Sequence, residues 1–277
     1  MTGDNNLPIP PPSPDDVLFE KFDGGYAVIT LNRPVVLNAI NWSICRCLKV
    51  ALDKAEEDDD VRVVIFTGAG RAFCAGGDIQ STPPTDGLPS PSAFDLQMRL
   101  WDFPKPIIGA VRGHAVGQGH ELSAMCDITI AADDAKFGEL QIRHGFGPPV
   151  LISPYMVNPK QAKELLLLGE QLDAEQAMKL GLVNRIVPGE KLMDEAIAMA
   201  RKIAGLNQKT VRMNKILVNR TYELAGFKSG LNYRNDPAIK EMGGALGGGR
   251  DANEHLRVLR EKGWEAFRES RDAAYKQ

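Results

Sequence analysis

Histidine, tryptophan and cysteine are scarce in this 277-residue chain, at four, three and four residues, and each scarcity narrows the chemistry open to it. Cys45, Cys47, Cys74 and Cys126 have neither the paired spacing of a zinc knuckle nor that of a small disulfide scaffold, so they read as reduced packing thiols. Trp42, Trp101 and Trp264 suit helical core or interface positions better than a base-stacking platform. Positive charge is not in excess: 33 Lys and Arg face 36 Asp and Glu, a net −3, which leaves no broad cationic field for nucleic acid. No apolar run reaches the length of a membrane span, and the N-terminus lacks a basic region followed by an apolar core, so the expectation is a cytoplasmic protein that does not enter a membrane.

What is present is the balance of a globular protein, 43% hydrophobic and 25% charged, with 27 glycines and 18 prolines that imply much loop. The length allows one large domain or nearly two of average size. Charge is uneven: from residue 206 onward 14 basic residues face 9 acidic ones, a local +5, leaving −8 upstream. The proline-rich stretch 1–16 reads as a flexible tail. From Val17, LFEKF, Gly24-Gly25 and YAVITL predict a hairpin, followed by a helix after Asn38 and a covered strand at VRVVIFTG. STPPTDGLPSPS at 81–92 is a surface loop and a candidate lid. Further strands are expected at PIIGAVRG, DITIAA and IVP, with helices at FDLQMRLW, GQGHELSAMC, on either side of Gly169-Glu170, and from about Glu190 to Gly205. The rest is mainly helical, interrupted by the flexible GGALGGGR. The pattern gives an α/β body over 17–206 and a helical segment over 207–277.

Two glycine-rich stretches, GAGRAFCAGGDI at 68–79 and GHAVGQGHEL at 113–122, each follow a strand and lead toward a helix. Two helix starts brought together offer unpaired N–H groups that can hold one developing oxyanion, a mechanism needing no metal. Neither stretch is a GxGxxG with a ribose-binding acid downstream, and neither ends in GKS or GKT, which argues against dinucleotide or ATP use. There is no GxSxG elbow, so a covalent mechanism has little support.

Together with RPVVLNAI at 33–40 and AKFG at 135–138, these stretches resemble the enoyl-CoA hydratase/isomerase, or crotonase, family. The resemblance runs from about Val17 to the IVP segment and more loosely through the C-terminal helices. It implies a spiral of repeated ββα units, a C-terminal helical oligomerisation region, a homotrimer or dimer of trimers, and an acyl-CoA substrate, with no cofactor beyond the coenzyme A carried by that thioester. By motif position, the backbone N–H groups of Gly77 and Gln118 correspond to the oxyanion hole, Glu121 to the first catalytic glutamate, and Ala39, Ala75, Asp78 and Ile79 to the CoA-binding turns. The chain departs from the pattern three times. Gln118 stands where glycine is common, Pro149 replaces the glycine after Pro148, and Gln141 occupies the second glutamate position, where an amide cannot exchange a carboxyl proton. Glu139 and His144 are candidate auxiliaries, while His120 reads as a packing or polar-network residue. The implied reaction is hydration of an enoyl-CoA or its reverse. Double-bond isomerisation, hydrolysis, decarboxylation or carbon-carbon cleavage of an acyl-CoA, and a catalytically weak CoA-binding paralogue, are the alternatives.

Overall fold

In a computed structural model the described residues are 11–81, 84, 86–233, 236–241 and 250–276, so residues 1–10 of the proline-rich stretch and most of GGALGGGR lie outside them. The hairpin is present: β1 (Val17–Phe22) pairs antiparallel with β2 (Tyr26–Leu31), and Gly24 and Gly25 between them take positive φ. From β2 onward the pairing in this six-stranded sheet is parallel, through β3 (Val63–Gly68), β4 (Ile107–Val111), β6 (Ile128–Ala132) and β9 (Arg185–Val187).

The inner strands β2, β3, β4 and β6 are buried on both faces, which is why they read as unbroken apolar runs. Ile29, Val64, Phe66, Ile107 and Ala131 face a core shared with α1 (Trp42–Glu57) and α2 (Ala93–Trp101). Val28, Val63, Ile65, Ile108 and Ile130 face the other way, onto Leu192, Ala196 and Ala200 of α7 (Leu192–Ala204). Asn41 caps α1 by accepting from the Ile44 N–H at 2.9 Å, and upstream the capped turn Pro14–Asp16 rests on that helix through Ser43 and Cys47, which both donate to the Ser13 carbonyl.

A second, three-stranded sheet carries the short elements between β4 and α7: β5 (His114–Val116) runs parallel to β7 (Lys136–Gly138), which pairs antiparallel with β8 (Leu172–Asp173). Between β5 and β6 lies α3 (Gln118–Ala124); after β7 come a 3-10 turn (Leu140–His144), α4 (Ser153–Met156), α5 (Pro159–Leu168) and α6 (Ala174–Lys179). The helices expected around Gly169 are therefore α5 and α6, with Gly169 ending α5 in the left-handed region at φ 62.

Beyond α7 the chain is helical: α8 (Gln208–Leu224), α9 (Phe227–Asn232), α10 (Pro237–Glu241) and α11 (Arg250–Asp272), the last kinked at Gly263 with φ 81. The amphipathicity of α8 is inverted. Its inward-reaching side chains are polar: Lys215 donates to Asp127, Asn219 to the Trp101 carbonyl, and Glu223 accepts from the Trp101 indole. Met213, Ile216, Leu217 and Val218 are more than half exposed.

Candidate active site

The sequence RPVVLNA folds into a tight turn in which Leu37 and Asn38 both take positive φ, 52 and 58. Asparagine tolerates that region because its short amide can bond locally. Buried Asn38 accepts from the Arg33 N–H at 2.8 Å and donates to the carbonyls of Ala69 and Ala72 at 2.9 and 2.8 Å, tying this turn to the first glycine-rich stretch. Gly68 is required at the junction: a Cβ there would lie 2.3 Å from the Phe73 carbonyl oxygen.

From that junction residues 73–78 run between two neighbours. Cys74 bridges to Ala115 of β5 on one side, and Gly77 bridges to Ile40 on the other. The CoA-position residues Ala39, Ala75 and Asp78 gather here, the Ala75 N–H donating to Leu37 and that of Asp78 to Ile40, both at 2.9 Å, with half-buried Ile79 next in line. The Arg33 guanidinium spans the cluster, donating to the Ala39 carbonyl at 2.7 Å and to the Asp78 carboxylate at 3.0 Å.

The second glycine-rich stretch packs against the first. A Cβ on Gly119 would sit 2.2 Å from the Cys74 carbonyl oxygen, and one on Gly76 would approach the Gln118 nitrogen at 3.6 Å. Only glycines allow α3 to start this close to residues 74–77. Gln118 is the first residue of α3, where an N–H has no intrahelical acceptor. Neither its N–H nor that of exposed Gly77 donates to another group among the described residues. With only seven residues in α3, the local N–H group, more than a long helix dipole, supplies the positive potential. The Gln118 side chain folds over Gly77, its amide oxygen 3.3 Å from where a Gly77 Cβ would stand.

Glu121, one turn into α3, is fully buried, and three donors reach its carboxylate. Gln97 of α2 donates at 2.7 Å, Gln141 at 3.2 Å, and the N–H of Val150, just after Pro149, at 3.2 Å. Such donors favour the charged carboxylate. Gln141 also donates to Glu139 at 2.9 Å, and Glu139 accepts from Ser153 at 2.6 Å on its other oxygen. An extended backbone through residue 141 would have kept Glu139 and Gln141 on one side at strand spacing. Instead β7 stops at Gly138, φ 154, and the chain coils into the 3-10 turn, bringing the two side chains into contact.

His120 is buried, 3.9 Å from Glu139 and edge-on to Phe137. Burial pushes its imidazole below the ordinary range, and the Glu139 charge partly opposes that. His144, one 3-10 turn beyond Gln141, stacks on Phe267 of α11 at 5.4 Å. Burial, with the Glu121 charge adding to it, pushes the Cys74 thiol up to about 12, so it remains a neutral packing group. Among the described residues no cluster of three or more His, Cys, Asp and Glu is placed to hold a metal ion.

Sequence reasoning did not single out Gln97, Ser153 or the Val150 N–H. Gln97 left one trace, a polar residue within the apolar stripe formed by Leu96, Leu100 and Trp101. Ser153 and Val150 left none, because their roles arise where the chain folds back after the 3-10 turn. Two surface clefts, about 300 Å³ beside α7 and about 290 Å³ between α5 and α6, do not include the carboxylates.

A family model described as enoyl-CoA hydratase/isomerase matches residues 21–277. The chain belongs to the enoyl-CoA hydratase/isomerase family. Over 207 residues it is 41% identical to a probable mitochondrial enoyl-CoA hydratase of Dictyostelium discoideum, covering 73% of this chain and 74% of the relative. It is 37% identical over 224 residues to a probable enoyl-CoA hydratase of Mycobacterium bovis, covering 79% and 86%. The crystal structure of an enoyl-CoA hydratase/isomerase from Xanthobacter autotrophicus Py2 superposes with a TM-score of 0.86 at 37% identity, over 95% of this chain and 99% of that one. The α/β body with parallel strands and a helical C-terminal region is thus the crotonase fold, and this family member is an enzyme by its relatives.

Proposed function

We propose that the chain adds water to an α,β-unsaturated acyl-CoA thioester, or removes it in the reverse direction. One observation carries this reading: the buried Glu121 carboxylate, held by three donors, stands one helical turn from the Gln118 N–H, which, like the Gly77 N–H of the stretch packed against it, has no acceptor among the described residues. The thioester oxygen sits between the N–H groups of Gly77 and Gln118, which stabilise the enolate that forms as the water oxygen bonds to the β carbon. One such donor is worth about 3 kcal/mol in other enzymes. Glu121 takes a proton from the water and returns one to the α carbon. Gln141 exchanges none. The main-chain groups at Ala39, Ala75, Asp78 and Ile79 hold the coenzyme A portion.

Glu121 as the sole proton-exchanging group at the hole also suits double-bond isomerisation, in which one carboxylate removes a proton and returns it two carbons away. This is the second reading. The outward apolar face of α8 favours a homotrimer or dimer of trimers, since a monomer leaving Met213, Ile216, Leu217 and Val218 to water gains nothing from that arrangement. Four free cysteines suit a reducing compartment, and we assign the cytoplasm. Among the described residues no helix is long and apolar enough to cross a membrane.

The test is a panel of enoyl-CoA thioesters followed by mass spectrometry. Hydration adds one water to the mass; isomerisation moves the double bond without a mass change. Glu121→Gln should lower turnover by about 10² to 10⁴ while thioester affinity persists. Thioester binding with no product across the panel, or unchanged turnover in the variant, would overturn the proposal.

A further inference from the structure

We infer that Gln97 is a positioning residue for Glu121, and that the C-terminal helices α8 and α9 act on the reaction through it. This deepens the proposed reading and rests on it in taking Glu121 as the proton-exchanging group. Gln97 is 1% exposed and lies on the α2 stripe that Leu96, Leu100 and Trp101 otherwise make apolar. Its Nε2 donates to Oε2 of Glu121 at 2.7 Å, while Gln141 and the Val150 N–H both donate to Oε1 at 3.2 Å. The two oxygens are thus held by different elements, and the shortest of these bonds comes from α2. Turning the Gln97 amide over would set its oxygen against the carboxylate, so its carbonyl is directed elsewhere, buried and without a partner. Such a carbonyl lowers stability, and a methionine would fill the position without that loss. Packing alone gives no reason for an amide at this place; the Glu121 carboxylate does.

The α2 helix is in turn held from far downstream. Trp101, one turn after Gln97, stacks on Phe227 of α9 at 4.0 Å and donates its indole N–H to Glu223 of α8 at 3.2 Å. Its carbonyl accepts from Asn219 of α8 at 2.9 Å, and Lys228 of α9 reaches the next residue, Asp102, at 2.6 Å. A slide of α2 by about 1 Å would stretch the Gln97 bond past hydrogen-bond range. Gln97 acts through Glu121, keeping its carboxylate charged and in one orientation for the proton it takes. Titratable groups that approach Glu121 are Cys74 on the first glycine-rich stretch, a thiol that stays neutral, Glu139, bonded to the same Gln141, and His120, which precedes it on α3. The amide from α2 does not titrate. Removing a donor from a charged carboxylate favours its protonated form, so losing Gln97 moves the protonation midpoint of Glu121 upward.

The experiment follows protonation of Glu121 in the full chain by infrared difference spectroscopy, its carboxyl band assigned as the one missing from Glu121→Gln, beside the pH dependence of kcat/KM for an enoyl-CoA. Gln97→Met should move the midpoint, and the acid limb of the profile with it, up by about one to two pH units, the size of one hydrogen bond to a charged group. Gln97→Asn, which draws the amide back by one methylene, should move it the same way. Asn219→Ala should give a smaller upward shift, and the double variant Gln97→Met, Asn219→Ala no more than Gln97→Met alone, whereas separate effects would add. A general loosening of the fold would lower turnover at every pH and leave the midpoint in place. Circular dichroism checks folding, and if Gln97→Met does not fold, Gln97→Asn takes its place. An unmoved midpoint in the Gln97 or Asn219 variants, or a double variant that shifts by the sum, overturns the inference. A wild type that converts no enoyl-CoA overturns the proposed function, while the infrared midpoint, read without turnover, still decides whether Gln97 holds Glu121.

Discussion

Asp78 stands at a position expected to face coenzyme A, yet its carboxylate is committed to Arg33, and replacing it with alanine tests which role dominates. The pair is 3.0 Å apart, with side-chain exposures of 2% for Arg33 and 9% for Asp78. At an effective dielectric near 20, the attraction across that distance is about 5 kcal/mol before desolvation is counted. What matters on substitution is the charge left behind. Arg33 would keep only its bond to the Ala39 carbonyl, and its Nε already has no partner among the described residues. Removing one member of a buried pair costs about 3–5 kcal/mol. With a urea slope of roughly 3 kcal/mol per molar for a chain of this size, Asp78→Ala should lower the unfolding midpoint by about 1 M. High salt should leave the difference in place, because buried pairs are poorly screened. Asp78→Asn should lose nearly as much, since it restores a hydrogen bond but not the charge. The double variant Arg33→Met, Asp78→Leu should be more stable than either single change. Turnover should fall with stability, because Gly77 immediately precedes Asp78 and bridges to Ile40 beside it. A midpoint shift below 0.2 M in Asp78→Ala, roughly half a kcal/mol on that slope, would refute the structural role.

Three other outcomes are expected. Gly119→Ala places a methyl 2.2 Å from the Cys74 carbonyl oxygen, which backbone alone can relieve, so oxyanion geometry should suffer; turnover should drop more than tenfold, and wild-type turnover would contradict the packing argument. His120, depressed by burial, is neutral in the fold, so the unfolded chain binds the extra proton below about pH 6.5 and stability should fall as the pH drops through and below that value. Urea midpoints between pH 7 and 5 should decline less steeply in His120→Gln, and identical slopes would show that the neighbouring Glu139 charge offsets the burial. Ile216→Asp with Leu217→Asp should reduce the assembly size in sedimentation at unchanged helix content, and an unaltered size would remove α8 from the interface.

The hairpin at Gly24-Gly25, the covered strands and the helices on either side of Gly169 were legible in sequence because each rests on local chemistry, a turn residue or a periodicity. That Glu121 lies in the first turn of a helix was legible through its motif. Its surroundings were not. Gln97 is an ordinary helix residue until α2 packs on α3, and Glu139 looked like a strand neighbour of Gln141 until the backbone coiled after Gly138. Contacts made by chain segments far apart in sequence leave no periodic trace, and the hydrogen bonds around Glu121 are of that kind.

The turn that carries Gln141 is closed from far downstream. Phe267 stacks on His144, Arg143 lies over the Tyr275 ring at 3.9 Å and near Asp272 at 3.8 Å, and the Tyr275 hydroxyl donates to the Leu168 carbonyl at 2.7 Å. During synthesis the sheet and α3 can therefore assemble on the ribosome while this wall is still missing. The nascent chain carries Glu121 before it carries a finished site.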